Sequence, residues 1–352
     1  MPSEPSHIEL RTSPHMRDTA NVAMIMRNVV YALLPVCAYS VYQFGVSALA
    51  LLVVCTIVCV GTEQLFCALS GKQSTTGDWS AVITGLLLAL TLPPAFPLWM
   101  AAVAAFFGLA VGKLFFGGIG YNVMNPALVG RAFAQAAFTV PMTTWTPAMA
   151  PGRFTEFIPS TLTRPFMTPA PVNEWLGRVA ADGFTGATPL ALMKFEQVST
   201  DAVQLLTGSV MGSAGETSAL LIFLCGLYLI FRKMMNWRIT FSILLSAYLL
   251  SGLFYLINPD VYPDPMFTIL AGGLMLGAVF MATDMVASPE TNRGIWIYGA
   301  LIGVLTVIIR LFGGLNEGVM YAILLGNAAS PLITRISQPR IHGATRKETT
   351  AS

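Results

Sequence analysis

Charge is scarce in this chain: Asp, Glu, Lys and Arg make up 10% of the 352 residues, against about one quarter in a soluble globular protein. With 55% of the side chains hydrophobic, there is too little polar surface to wrap a water-soluble fold, and the composition points to an integral membrane protein. Histidine occurs only at His7, His15 and His342, near the two ends, so no histidine-based metal or acid–base centre is expected. Cys37, Cys55, Cys59, Cys67 and Cys225 all lie within apolar runs and show no Cys-x-x-Cys or His-Cys spacing. That spacing argues against an iron–sulfur cluster or a disulfide framework and makes them small core residues, and no metal site is expected. No Gly-x-Gly-x-x-Gly follows a strand-like run, so no dinucleotide site is expected in this chain. The net charge of +2 says little, because in a membrane protein the distribution of charge among loops matters more than the total.

Long apolar runs are abundant. A span needs roughly 20 apolar residues, and candidates fall at about 24–44, 46–69, 81–95, 97–116, 123–140, 217–234, 238–257, 266–284, 292–312 and 317–336. These predict an all-α membrane protein of about ten transmembrane helices. The polar first twenty residues run into the first span without a small-residue cleavage site, which predicts an anchor and no removable signal peptide. Between the fifth and sixth spans lies a Pro- and Thr-rich segment with no run long enough to cross a bilayer. The predicted organisation is an N-terminal tail at 1–22, a first membrane unit at 23–140, a loop domain at 141–216, a second membrane unit at 217–336 and a C-terminal tail at 337–352.

Lys and Arg counts set the orientation. With both termini inside, the inner loops and span ends collect thirteen cations and the short outer loops only Arg310. Both tails are therefore expected in the cytoplasm and the loop domain outside. Its own Arg153, Arg164, Arg178 and Lys194 do not oppose this, since long loops cross largely regardless of charge. The two units also echo each other. Thr84-Gly85-Leu86-Leu87-Leu88 in the third span parallels Gly272-Gly273-Leu274-Met275-Leu276 in the eighth, and Lys113-Leu114-Phe115-Phe116-Gly117-Gly118 parallels Arg310-Leu311-Phe312-Gly313-Gly314. Asn125 and Asn327 sit early in the fifth and tenth. Five spans per copy force the second copy to be inverted. Pro93-Pro94 breaks the third span early, and Gly272, Gly273 and Gly277 interrupt the eighth; paired interruptions of this kind mark either a midplane site or packing kinks.

Ionisable groups within or at the edges of spans are functional candidates by default, and three are singled out. Arg131 lies within the fifth span, where internal pairing would account for it. Glu63 and Asp284 lie near inner ends and are the ion-path candidates, although a carboxylate there also reaches water at small cost. Asn122 and Asn125 are three apart, which would put them on one helix face where their amides could meet a heteroaromatic edge or an ion. Asn125 before Pro126 also reads as a helix cap. The loop domain contains a polar, glycine-punctuated stretch, Asp182-Gly183-Phe184-Thr185-Gly186-Ala187-Thr188-Pro189. Locally it is a turn. Thr188, preceding a proline, is expected to be extended, with its hydroxyl displayed.

Asp182-Gly183-x-Thr185-Gly186-Ala187-Thr188 resembles the flavinylation motif Asp-Gly-x-Ser/Thr-Gly-Ala-Thr. Asn125-Pro126-Ala127-Leu128-Val129-Gly130-Arg131, Thr291-Asn292-Arg293-Gly294 and Arg310-Leu311-Phe312-Gly313-Gly314 are similar to signatures of the membrane family that contains the RnfD component of the Rnf electron-transport complex and its counterpart in the sodium-translocating NADH:quinone reductase. The likeness covers nearly the whole chain, and the short N-terminus leans toward the Rnf branch. The resemblance implies FMN joined through its phosphate to Thr188 by a separate flavin transferase. It further implies a non-covalent riboflavin near Asn122 and Asn125, and cation uptake involving Glu63 and Asp284. The chain would be one flavin-carrying subunit of a bacterial inner-membrane complex that couples ferredoxin and NAD+ electron exchange to Na+ or H+ transport. Its partners would be other flavin- and iron–sulfur-bearing subunits. The alternative is a solute channel or transporter, since the family's fold resembles that of urea transporters; a simple channel has no use for a flavin motif.

Overall fold

The computed structural model describes residues 21–71, 75–172, 175, 177, 187–216, 218–315 and 317–339. Among these the regular structure is helical, with no strand. The principal helices are α1 (Val22–Phe44), α2 (Val46–Leu69), α3 (Ser80–Thr91), α4 (Leu98–Gly112), α5 (Pro126–Ala137), α6 (Ala219–Phe231), α7 (Trp237–Ile257), α8 (Pro265–Leu270), α9 (Leu274–Leu276), α10 (Asn292–Phe312) and α11 (Val319–Ser337). A π-helical turn, Gly277–Met281, continues α9. Six helical stretches are long and apolar enough to cross a membrane: α1, α2, α4 with the 3-10 turn that follows it, α7, α10 and α11. Helices α3 and α6 are apolar but shorter. The chain is a multi-pass membrane protein.

Local chemistry fixes the helix ends. Asn21 accepts from Met24 N at 2.8 Å to start α1, and Asp264 accepts from Met266 N at 3.0 Å to start α8. At α5 the cap expected from the sequence is present: Asn125 Oδ1 accepts from Ala127 N at 3.0 Å, with Pro126 in the first helical position. Between α1 and α2, Gly45 takes φ 70°, and a Cβ there would lie 1.8 Å from the Arg153 carbonyl oxygen. The contact is specific. Val46 N donates to that carbonyl at 2.9 Å, and the Arg153 guanidinium donates to the Tyr42 carbonyl at 2.8 Å, so a residue of the 141–216 segment seals the turn between the first two helices.

Several stretches differ from their sequence-based bounds. The fifth run, expected at 123–140, becomes helical only at Pro126 and breaks after Ala137 before a short turn of helix at Thr139–Met142, and Asn122 therefore precedes the helix rather than sharing a face with Asn125. The reason is the cap: Asn125 is extended (φ −64°, ψ 119°), so the helix cannot begin earlier. The run expected at 266–284 is divided between α8 and α9 with its π turn, separated by Gly272 at φ 68°. Lys113 and Arg310 count as loop cations in the sequence, yet they are 3% and 6% exposed. Removing both changes the tally from thirteen against one to twelve against none, so the bias it expresses survives.

One large core joins the helices, with α2 against α3 and α4, α4 against α5, α7 against α8 and α10, and α10 against α11. Across the two halves, α1 meets α6 and α5 meets α11. Cys37, Cys55, Cys59 and Cys225 are buried free thiols in this core, as small apolar fillers. The 141–216 segment is packed onto the bundle by two satellite clusters, one around Trp175, Ile158 and Ala95, the other around Leu190, Leu205 and Phe267.

Candidate functional site

The carbonyls at the end of α3 need partners, because Pro93 and Pro94 stop the helix inside the bundle. Ala214 N donates to the Leu92 carbonyl at 3.0 Å and Gly215 N to the Leu90 carbonyl at 2.6 Å. Arg131, 6% exposed on α5, donates to the Thr91 carbonyl and pairs through its other terminal nitrogen with Glu317, just before α11. Ser213 Oγ donates to Glu216, and Glu216 and Glu317 line one small void beside Arg131. Buried polar atoms remain in this cluster without a partner, among them Arg131 Nε and Glu317 Oε1. Where α3, α5 and α11 converge, the guanidinium thus pairs with Glu317 and is linked to Glu216 through the Ser213 hydroxyl.

Above this cluster opens a cavity of about 300 Å³, lined by Arg131, Gln135, Trp145, Thr188, Glu317 and Tyr321 among others. Thr188 and Ala187 belong to it; Asp182, Gly183, Thr185 and Gly186 lie outside the described residues. Thr188 is extended (φ −70°, ψ 158°), as the following Pro189 requires. Its hydroxyl is not displayed to bulk solvent. The residue is 3% exposed, and Oγ1 accepts from Ala191 N at 3.3 Å, capping the turn Pro189–Ala191. The expectation of a displayed hydroxyl overlooked that the same extended backbone that frees it from a preceding helix makes it the cap of the next one.

A second cavity, about 100 Å³, lies between α1, α3, α6 and the π turn, and it is lined by Asn122, Asn125, Thr84, Lys113, Phe280 and Asp284 among others. Asn122 Nδ2 donates to Asp284 Oδ2 at 3.3 Å, and Asn125 Nδ2 donates to the Met281 carbonyl at 3.2 Å. Three sequence candidates, Asn122, Asn125 and Asp284, therefore meet at one apolar pocket despite a separation of 162 residues between Asn122 and Asp284. Glu63 is elsewhere. It is fully buried, pairs with Lys113 Nζ at 2.6 Å and accepts from Thr75 Oγ1 at 2.7 Å.

The sequence reading missed Glu216, Glu317 and Lys113, along with the cavity residues Gln135, Trp145 and Tyr321. One signal was available: an arginine inside a span demands a carboxylate, and Glu317 follows the second Gly-Gly motif closely. In the 141–216 segment, Lys194 reaches the Arg310 carbonyl at 3.0 Å, and partial desolvation lowers the pKa of its ammonium from the ordinary lysine value.

Comparison with known proteins gives a consistent result. Residues 9–343 match the model of the NQR2, RnfD, RnfE family. The D component of the Na(+)-translocating ferredoxin:NAD(+) oxidoreductase complex of Acetobacterium woodii is 41% identical over 344 residues, covering 97% of this chain and 96% of that one. The D component of the proton-translocating ferredoxin:NAD(+) oxidoreductase complex of Clostridium ljungdahlii is 38% identical, covering 96% of each chain. The D component of the ion-translocating oxidoreductase complex of Alcanivorax borkumensis is 36% identical, covering 94% of this chain and 96% of its own.

Proposed function

This chain belongs to the NQR2, RnfD, RnfE family, and on that premise we propose that it is the flavin-carrying membrane subunit of an ion-translocating ferredoxin:NAD+ oxidoreductase complex, with FMN joined covalently to Thr188. It would act only within that complex. The observation that carries the reading is the position of Thr188: the residue lines a cavity of about 300 Å³ whose wall combines the Arg131–Glu317 pair with Trp145 and Tyr321. That volume lies at the lower end of the range of small-ligand sites, roughly 300–1,000 Å³. Aromatic rings, an amide and a guanidinium Nε with no acceptor suit a planar, hydrogen-bonding, anionic group.

Bound there, FMN would supply reversible electron acceptance and donation. Thr188 provides the oxygen of the phosphoester, and a threonine hydroxyl is too weak a nucleophile to form that bond unaided, so attachment falls to a separate transferase. Arg131 would offer N–H donors at the cavity wall, held in place by Glu317, which balances its charge, and by the Thr91 carbonyl, beside the rings of Trp145 and Tyr321. Asn122 and Asn125 would hold a non-covalent riboflavin in the smaller pocket, and Asp284 beside them would serve the cation path. Glu63 is a weaker candidate for that path because Lys113 already neutralises it.

In the membrane we propose ten spans as two inverted five-helix units, 23–140 and 217–336, the 141–216 segment outside, and the tails 1–22 and 337–352 in the cytoplasm of a bacterial inner membrane. Matching helix pairings in the two halves support this, as do Lys113 and Arg310, each of which ends a helix and turns back to a short one. Most of the tail residues lie outside the described residues.

The test is direct. Denatured protein from cells containing the transferase should fluoresce under ultraviolet light on a gel, and Thr188→Ala should abolish the band. A dark wild-type band, with no FMN-sized increment on the peptide spanning Thr188, refutes the assignment and would leave a channel-like bundle as the reading.

A further inference from the structure

Lys113 and Arg310 open matching Leu-Phe motifs, but their surroundings differ in one respect. Lys113 meets the Ser80 hydroxyl and, at 2.6 Å, the Glu63 carboxylate. Arg310 donates to the Thr268 carbonyl at 2.6 Å and to the Ala271 carbonyl at 3.0 Å. Glu63 precedes Ser80 by the same seventeen residues that separate Ser251 from Thr268, and Ser251 Oγ bonds Thr268 Oγ1 at 2.8 Å. A serine stands where the first half has its carboxylate. Arg310 is 6% exposed, its Nε has no acceptor, and among the described residues no carboxylate pairs with it. Glu216 and Glu317 act on it only from a distance, and Glu317 is bound to Arg131. A buried guanidinium without a counter-charge in contact is costly.

Against Arg310 opens a cavity of about 150 Å³, and its wall carries a second cation, Lys194, with Gln197, Tyr262 and Thr268 as further polar groups. Among the described residues no carboxylate lines it, and the rest of the wall is apolar. The volume is well below the roughly 300 Å³ at which pockets for drug-sized ligands begin, which suits a headgroup-sized ion.

We propose that this cavity between α8, α10 and the Leu190–Gln197 stretch is an anion site that takes a phosphate group, either the phosphodiester of an anionic lipid or free phosphate. The bound oxyanion stands in for the carboxylate that the second half does not have. Arg310 and Lys194 bind it together, and the apolar wall accommodates whatever the phosphate carries.

The test uses the full chain, purified and placed in phosphatidylcholine nanodiscs, with phosphatidylglycerol or inorganic phosphate added. Thermal unfolding reads stabilisation, and native mass spectrometry counts ligand on the folded fraction. A rise in Tm and one retained phosphatidylglycerol assign a lipid; the same with inorganic phosphate alone assigns a free anion. Lys194→Gln should weaken binding about tenfold or more, the loss of one charge-assisted contact. Lys194→Arg should retain affinity, and Arg164→Gln, an equal charge change on an exposed loop residue, should leave it unaltered. The proposal is overturned if neither additive stabilises the wild type, or if Lys194→Gln and Arg164→Gln weaken binding equally.

Discussion

Replacing Glu63 by Gln removes the charge that neutralises Lys113 while keeping the side-chain shape and an oxygen for Thr75. The pair is closed to solvent, at 0% and 3% exposure, and the nitrogen–oxygen distance is 2.6 Å. After the change, the ammonium keeps only neutral side-chain acceptors among the described residues, the amide oxygen at position 63 and the Ser80 hydroxyl, and no counter-charge. Breaking one side of a buried pair costs about 3–5 kcal/mol, a large share of a total stability of roughly 5–15 kcal/mol. Removing both charges in Glu63→Gln/Lys113→Met should recover most of that loss, because no unpaired ion then remains in the core. The assay is denaturant unfolding of the purified chain in mixed micelles, followed by circular dichroism, for both single variants and the double variant. A cost below about 1 kcal/mol for Glu63→Gln, the range of exposed pairs, would refute the reasoning, as would a double variant no better than the worse single. The stabilised double variant also separates structure from transport: cation-dependent turnover that persists in it makes Glu63 a structural ion.

Asp284→Asn should weaken the dependence of complex turnover on cation concentration while leaving Thr188-linked fluorescence intact, and an unchanged dependence counts against Asp284 as an ion ligand. Gly108→Ala places a methyl 2.8 Å from the Gly130 Cα and the Pro126 carbonyl oxygen, where α4 and α5 cross backbone to backbone. It should cost about 1–3 kcal/mol in the same unfolding assay. Gly61→Ala, which meets nothing within 4 Å, should be neutral or slightly stabilising, and equal effects of the two would refute the crossing. A membrane-impermeant maleimide should label half-exposed Cys67 only from the cytoplasmic face, with buried Cys55 and Cys59 unlabelled until denaturation; labelling of Cys67 from outside would reverse the proposed orientation.

Apolar length and helix punctuation were legible in the sequence because they are local. The six long helices follow from run length, and the start of α5 follows from Asn125-Pro126. Pairings across the chain were not legible. That Arg131 needs a carboxylate was legible, but not that Glu317, 186 residues away, supplies it, and nothing near Glu63 announces Lys113. Counting Lys113 and Arg310 as loop charges failed for the same reason, since a cation at a helix end reads identically whether it faces water or a buried acceptor. Of the candidate site, the glycine-punctuated turn ending at Thr188 was readable, but the cavity beside Thr188 was not, because its walls come from α5, α11 and the segment near Trp145. Periodicity also misplaced Asn122, since a strong cap stops a helix where apolar pattern alone would extend it.

The amides of Ala214 and Gly215 that finish α3 belong to the 141–216 segment, and Gly215 approaches so closely that a Cβ would lie 2.7 Å from that of Leu90. Lipid tails offer no hydrogen bonds to replace them. The segment is consequently masonry, not cargo: moved as a unit onto another bundle, it would leave an unfinished helix behind and carry away a finished seam with nothing to close.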